Sequence, residues 1–129
     1  MNSSDSTKDW ENKTILIAED EESNFKYLKL ALRNTGINII RAKNGKDAIL
    51  QCKRNPGIDL VLMDIKMPEM DGLEATREIR KFSETLPIIA LTAYAMADDK
   101  DTSIDAGCND YISKPVKRNR IYNVLDKYL

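Results

Sequence analysis

Histidine is absent from this chain of 129 residues, and no other feature of the composition excludes as much chemistry. Without an imidazole there is no Ser-His-Asp or Cys-His catalytic arrangement and no histidine metal site. Whatever reaction the chain supports must use carboxylates, a lysine, hydroxyls or a metal held by oxygen. Cysteine is scarce. Cys52 lies in a helical pattern and Cys108 beside Gly107, with neither metal-ligand spacing nor a disulfide framework, so both read as structural thiols. Long apolar runs are missing, and the N-terminus lacks the basic-then-apolar order of a signal peptide. A soluble, cytoplasmic domain with no membrane insertion is therefore expected. Nor is either charge in excess: a net charge of -1 with acids and bases interspersed offers no basic field for a phosphate backbone, and direct nucleic-acid binding is not expected.

What is present is a series of short apolar blocks. At 42% apolar and 32% charged, the chain suits one globular domain with no room for a second enzyme domain. Residues 1–13 are polar, rich in Ser, Asp and Lys, with Trp10 their one aromatic side chain; they read as a linker or appended segment ahead of a domain over 14–129. Thr14-Ile15-Leu16-Ile17-Ala18 is a short β-branched run that empties into Glu19-Asp20-Glu21-Glu22. Phe25, Leu28 and Leu32 then recur at helical spacing up to Gly36, and Ile37 to Ala42 alternates as a second strand. Asn44-Gly45 opens a helix carrying Ala48, Ile49 and Cys52, closed by Asn55-Pro56-Gly57. Leu60-Val61-Leu62-Met63 is too short for a free-standing helix and suits a strand buried on both faces, ending abruptly at Asp64.

A helix from about Gly72 to Lys81 turns Leu73, Thr76 and Ile79 inward, and Ile88-Ile89-Ala90-Leu91 forms another apolar strand that stops at Thr92. Met96 to Ala106 is acidic and weakly amphipathic, which predicts a less firmly seated and more mobile helix ending at Gly107. Asp110-Tyr111-Ile112-Ser113 is a last strand ending at Lys114-Pro115, and Arg118 to Leu129 is a helix with Ile121, Val124, Leu125 and Tyr128 inward. Strands alternating with helices predict an α/β fold, a parallel sheet covered on both faces.

In such a sheet the carboxyl ends of the strands share one edge, where ligands bind. That edge would collect Glu19, Asp20, Asp64, Thr92 and Lys114, one polar group or pair after each of four apolar strands. Asp64 makes a poor helix cap, because Pro68 and Asp71-Gly72 put the next helix start several residues later. Crowded carboxylates resist ionisation unless a cation sits among them. An all-oxygen site with open positions suits Mg2+, which keeps several waters and accompanies phosphate. Lys114 would add positive charge and Thr92 a hydroxyl, a combination able to stabilise a phosphoryl group in transfer, with Asp64 as carboxylate nucleophile. Taken singly, each residue has a plainer role: Glu19 to Glu22 as a helix N-terminus, Thr92 as a strand residue, Lys114 as a surface lysine. Their coincidence at strand ends favours the site.

Four stretches carry a family resemblance: Ile15-Leu16-Ile17-Ala18-Glu19-Asp20, Val61 to Gly72, Pro87-Ile88-Ile89-Ala90-Leu91-Thr92-Ala93 and Asp110-Tyr111-Ile112-Ser113-Lys114-Pro115. In their order and spacing, residues 14–129 resemble the receiver domain of two-component response regulators. The wording around Ala18-Glu19-Asp20 and Leu91 to Met96 is most similar to receivers fused to hybrid sensor histidine kinases. The resemblance implies a flavodoxin-like receiver fold with strand order 2-1-3-4-5 and five flanking helices. It implies a phosphoacceptor, Asp64, that takes a phosphoryl group from the phosphohistidine of a histidine kinase or histidine phosphotransfer protein. Asp20, Asp64 and the backbone carbonyl of Lys66 would hold Mg2+, with Glu19 acting through water. Thr92 would move toward the phosphoryl group, Tyr111 would switch rotamer behind it, and Lys114, before a cis proline, would pair with its oxygens. Glu21 stands where related hybrid-kinase receivers often carry Asn. The lack of histidine means that the donor lies in another domain or protein.

The main alternative is a receiver-like scaffold that binds partners without taking phosphate. A phosphatase with an Asp nucleophile would want a second acid two residues on, where this chain has Lys66. Storage of the phosphoryl group is thus expected over turnover, in a signalling module rather than an enzyme, present as a monomer or weak dimer. Lys66 and Tyr94 flank the expected in-line path of water and are not suited to orienting it, which predicts slow self-dephosphorylation.

Overall fold

The computed structural model describes residues 9–93 and 97–129, with no side-chain description for 97–100. Ten elements alternate along it: β1 (Thr14–Ala18), α1 (Glu22–Ala31), β2 (Asn38–Ala42), α2 (Gly45–Arg54), β3 (Leu60–Asp64), α3 (Gly72–Arg80), β4 (Ile88–Thr92), α4 (Ala97–Ala106), β5 (Asp110–Ser113) and α5 (Arg118–Tyr128). The strands form one sheet in the order β2-β1-β3-β4-β5, and every adjacent pair is parallel. This is the doubly wound α/β arrangement that the alternating blocks predict.

Period-two alternation divides the sheet into two apolar faces. On one face Ile15, Ile17, Leu60, Leu62, Ile89, Leu91 and Ile112 pack with Leu28 of α1, with Leu32 at its C-terminal cap and with Ile121, Val124 and Leu125 of α5. On the other, Leu16, Ala18, Val61, Met63, Ile88 and Ala90 pack with Ala48 and Cys52 of α2 and with Ala75 and Ile79 of α3. Strands β3 and β4 are buried along their whole length, which is why they read as unbroken apolar runs. β2 lies at an edge and is more exposed, matching its alternation. Helix α4 buries only Ser103 and Ala106 among its described side chains, in keeping with its weak pattern, and Met96 lies outside the described residues. Among the described residues, no helix is long and apolar enough to cross a membrane.

Two local features place the site. Asn44 and Asp71 cap α2 and α3 by accepting bonds from the Asp47 and Glu74 amides at 2.8 and 2.9 Å. Helix α3 begins against the end of β3: the Gly72 amide donates to the Ile65 carbonyl at 2.8 Å, and a Cβ on Gly72 would overlap the Asp64 carbonyl oxygen and lie 2.9 Å from Met63 Cγ. Only glycine permits this approach.

Trp10, in the polar segment ahead of Thr14, packs into the domain. Trp10 is 6% exposed and belongs to the core cluster beneath α1 and α5. Its ring meets Tyr122 edge to face, with centroids 5.8 Å apart, and its amide donates to the Thr35 carbonyl at 2.8 Å. The polar residues around Trp10 hid the burial of one large ring, whose apolar area outweighs their preference for water.

Candidate functional site

The carboxyl ends of the parallel strands bring together most of the residues singled out from the sequence. Glu19 and Asp20 follow β1, Asp64 ends β3, Thr92 ends β4 and Lys114 follows β5. One carboxylate oxygen each from Glu19, Asp20 and Asp64 lie within 4.8 Å of one another. Glu19 is fully buried and Asp64 nearly so, at 0% and 4% exposed, while Asp20 faces solvent. Lys114 Nζ reaches into the cluster, 3.0 Å from Asp64 Oδ2 and 3.4 Å from Glu19 Oε1. Its amide donates to the Thr92 carbonyl at 2.7 Å, which fixes the loop after β5 to the end of β4, and the Lys114–Pro115 peptide is cis.

Charge in this cluster is unbalanced. Burial, then repulsion from Asp64, raises the Glu19 carboxyl above its usual range, against the opposing pull of the Glu21 amide and Lys114. Burial by itself would lower the Lys114 ammonium, but the bond to Asp64 and the charges of Asp64 and Glu19 outweigh it and raise the group instead. An ion pair ~4 Å apart near a protein surface gains about 4 kcal/mol, and desolvating each buried ion costs several. One lysine among three clustered acids therefore leaves the group short of positive charge. The donors are all hard oxygens, partly open to solvent, and so chemically fit a divalent cation such as Mg2+.

The remaining expected residues are placed as follows. Lys66 is exposed, its amide donates to Asp64 Oδ1 at 3.3 Å, and it lines a cavity of ≈ 460 Å³ with Asp20, Ile65, Met67, Pro68 and Asp71. A second cavity of ≈ 500 Å³ is bounded by Asn24, Tyr27, Leu91, Lys114, Pro115 and Val116 among others. The Tyr27 hydroxyl closes part of its wall by donating to the Val116 carbonyl. Thr92 is buried. Tyr111 sits further back along β5, opposite Ala90, half-buried against the α2 and α3 face, with its carbonyl accepting from Arg120 Nη2 at 3.0 Å. It is not part of the acidic cluster. Tyr94 lies outside the described residues.

Sequence reasoning passed over Arg41 at the end of β2. Its guanidinium donates to the Glu19 carbonyl from Nε at 3.3 Å and from Nη2 at 3.2 Å, and Nη2 also reaches the Asp20 carbonyl at 3.3 Å. It stacks 4.8 Å above the Phe25 ring. The available signal was a charged side chain interrupting the apolar run Ile39-Ile40-Arg41-Ala42.

Comparison with known proteins converges on one family. Residues 15–126 match the response regulator receiver domain. The polar-differentiation response regulator DivK of Brucella anthropi is 39% identical over 119 residues, spanning 91% of this chain and 96% of that protein. Among solved structures, the receiver domain of sensor histidine kinase PA1611 from Pseudomonas aeruginosa, with a magnesium ion coordinated in its active site cleft, is 36% identical. It superposes with a TM-score of 0.84 over 91% of this chain and 97% of that one. The receiver domain of the Saccharomyces cerevisiae response regulator Ssk1, crystallised with the histidine phosphotransfer protein Ypd1, gives a TM-score of 0.86 at 32% identity, covering 91% and 88% of the two chains.

Proposed function

Because this chain belongs to the response regulator receiver family and is a receiver domain of two-component signal transduction, we propose that Asp64 is its phosphoacceptor, served by Glu19, Asp20, Lys66, Thr92 and Lys114. The observation that carries the assignment is the placement of Asp64. Among the described residues it is the one acid that ends a central strand, touches Lys114 at 3.0 Å and shares the carboxylate cluster with Glu19 and Asp20. An Asp64 carboxylate oxygen attacks the phosphorus of a phosphohistidine, forming an acyl phosphate. The P–N bond breaks, and the donor imidazole nitrogen keeps the electron pair and takes up a proton.

Asp20, Asp64 and the Lys66 carbonyl would hold Mg2+, with Glu19 acting through water; when bound, the ion supplies positive charge against the phosphoryl oxygens. Lys114, already beside Asp64, donates to one of those oxygens, and the Thr92 hydroxyl moves to another. Tyr111 answers by changing rotamer on the α4–β5 side. One cavity is lined by Asp20 and Lys66 and the other by Glu19 and Lys114, residues of or next to the acidic cluster, which suits approach of a phosphohistidine side chain from a histidine kinase or histidine phosphotransfer protein. The likeness to a receiver crystallised with such a phosphotransfer protein supports that class of donor. With Lys66 two residues after the acceptor and no acid there to orient water, the module stores the phosphoryl group and loses it slowly, as a signalling element rather than a turnover enzyme.

Phosphotransfer from a panel of phosphohistidine donors tests the assignment. Wild type in Mg2+ should gain an acid- and base-labile phosphoryl group, and Asp64→Asn should fold and gain none. Label persisting on Asp64→Asn would refute the acceptor. A wild type that no donor phosphorylates, in Mg2+ buffer, would favour the scaffold reading.

A further inference from the structure

Glu19 and Asp20 are adjacent in sequence, yet their carboxylates converge on one cluster with Asp64. In an extended strand successive side chains point to opposite faces, and successive carbonyls likewise alternate. The chain must therefore break from the extended form directly after β1. It does: the Glu19 amide still pairs with the Ala42 carbonyl at 3.0 Å, continuing the ladder, and a bend follows at Asp20. The carbonyls of both residues then point to the same guanidinium, that of Arg41, at 3.2–3.3 Å.

We propose that Arg41 is a positioning residue that holds the bend between Glu19 and Asp20 and so presents both carboxylates to the cation. The proposal rests on the assignment of these acids to the metal. A guanidinium suits the task because its planar fork can bind two carbonyl oxygens at once, which one ammonium does less well. The fork is itself held. Phe25 lies 4.8 Å beneath it, Glu22 approaches Nη1 at 3.7 Å, and the Arg41 side chain is only 18% exposed. On the far side of the bend the loop closes on itself, the Glu21 amide donating to Glu19 Oε2 at 3.2 Å. Removal of Arg41 leaves the Glu19 amide on the Ala42 carbonyl and this weak bond from Glu21, but takes away the bonds that gather the Glu19 and Asp20 carbonyls.

Charge and position predict opposite effects, which makes the role testable. Arg41 places a cation beside a cation site, so if charge alone mattered, Arg41→Gln would tighten Mg2+ binding and Arg41→Lys would leave it unchanged. A positioning role predicts the reverse. Arg41→Gln loosens Mg2+ by about tenfold or more, the usual effect of removing a group that orients metal ligands, and Arg41→Lys recovers part of the loss. The experiment is calorimetric titration of Mg2+ alone into the full chain, wild type and both variants. It is paired with amide hydrogen exchange on the metal-free proteins, where the Glu19 and Glu21 amides should exchange faster in Arg41→Gln while β3 and β4 stay protected. At saturating Mg2+ the phosphotransfer rate of Arg41→Gln should recover. Equal or tighter Mg2+ binding by Arg41→Gln, or unchanged exchange in the loop, overturns the proposal. Failure of the wild type to bind Mg2+ at all would overturn the metal assignment and this inference together.

Discussion

Gly72 sets the distance between β3 and the helix that follows it, and alanine there should cost far more than its one methyl group suggests. The added Cβ would overlap the Asp64 carbonyl oxygen and sit 3.0 Å from its carbonyl carbon and 2.9 Å from Met63 Cγ. The obstacle is mostly backbone and cannot rotate away, so helix α3 must shift off β3. Overpacking of this kind costs ~1–3 kcal/mol. The shift also weakens the Gly72 amide bond to the Ile65 carbonyl, 2.8 Å long, at about 1 kcal/mol. Against this, alanine gains at most ~1 kcal/mol over glycine in a helix interior, and less at the first helical residue. The net loss is roughly 2–3 kcal/mol.

Gly57 provides the control, because a Cβ there would meet nothing within 4 Å and its φ is not positive. Gly57→Ala should be neutral or stabilise by ~0.4–1 kcal/mol through the unfolded chain. The same substitution at two glycines should thus separate by about 3 kcal/mol, or on the order of 10 °C in Tm for a domain of this size. Urea denaturation with comparable slopes measures the difference. A Gly72→Ala protein also displaces Asp64 and should bind Mg2+ more weakly, which titration reads. If the two alanine variants prove equally stable, the close approach of α3 to β3 does not constrain this site.

Three further outcomes are expected. Folding favours the protonated form of Glu19, whose carboxyl is raised above the ordinary 4.5 by burial and Asp64; that stability is present below about pH 4.5 and lost as pH rises through the folded value. Metal-free Glu19→Gln should therefore be more stable than wild type at pH 7, with the gap closing toward pH 4, and a variant less stable in chelator at pH 7 would contradict the charge imbalance. Lys66→Asn offers an amide able to orient water near Asp64 and should speed loss of the phosphoryl group by about tenfold, a barrier change of ~1.4 kcal/mol; equal lifetimes in Mg2+ buffer would remove Lys66 from the account of slow hydrolysis. Burial pushes the Cys52 thiol up to about 11 and raises Cys108 as well. At pH 8 only about one Cys52 in a thousand would be thiolate, so both cysteines should resist alkylation until the protein unfolds, and prompt labelling of the native chain would show that one is accessible.

Much of the site was legible because each piece is local. A buried strand is an apolar run, and the residue that ends it stands out: Asp64 after Leu60-Val61-Leu62-Met63, Thr92 after Ile88-Ile89-Ala90-Leu91, Lys114 after Ile112-Ser113. Parallel pairing then puts such residues on one edge with no further information. Trp10 and Arg41 were not legible in this way. A lone ring among polar residues carries no period, and its partner Tyr122 belongs to a helix at the other end of the chain. Arg41 looked like a blemish in an edge strand, since its meaning depends on carbonyls that lie 21 and 22 residues earlier.

The sequence by itself therefore determined the ten elements, the polar groups at the strand ends and the chemistry those groups can support, because periods of two and 3.6 residues and the punctuation of Gly, Pro and Asn act over a few neighbours. The tertiary structure alone decided that Lys114 reaches across 50 residues to Asp64 and 95 to Glu19, that Trp10 belongs to the core, and that Glu19 and Asp20 turn their carboxylates the same way. Those outcomes depend on which distant strands and loops come to lie side by side. Such proximity is set by the packing of the whole sheet and its helices, and no short window of residues contains it.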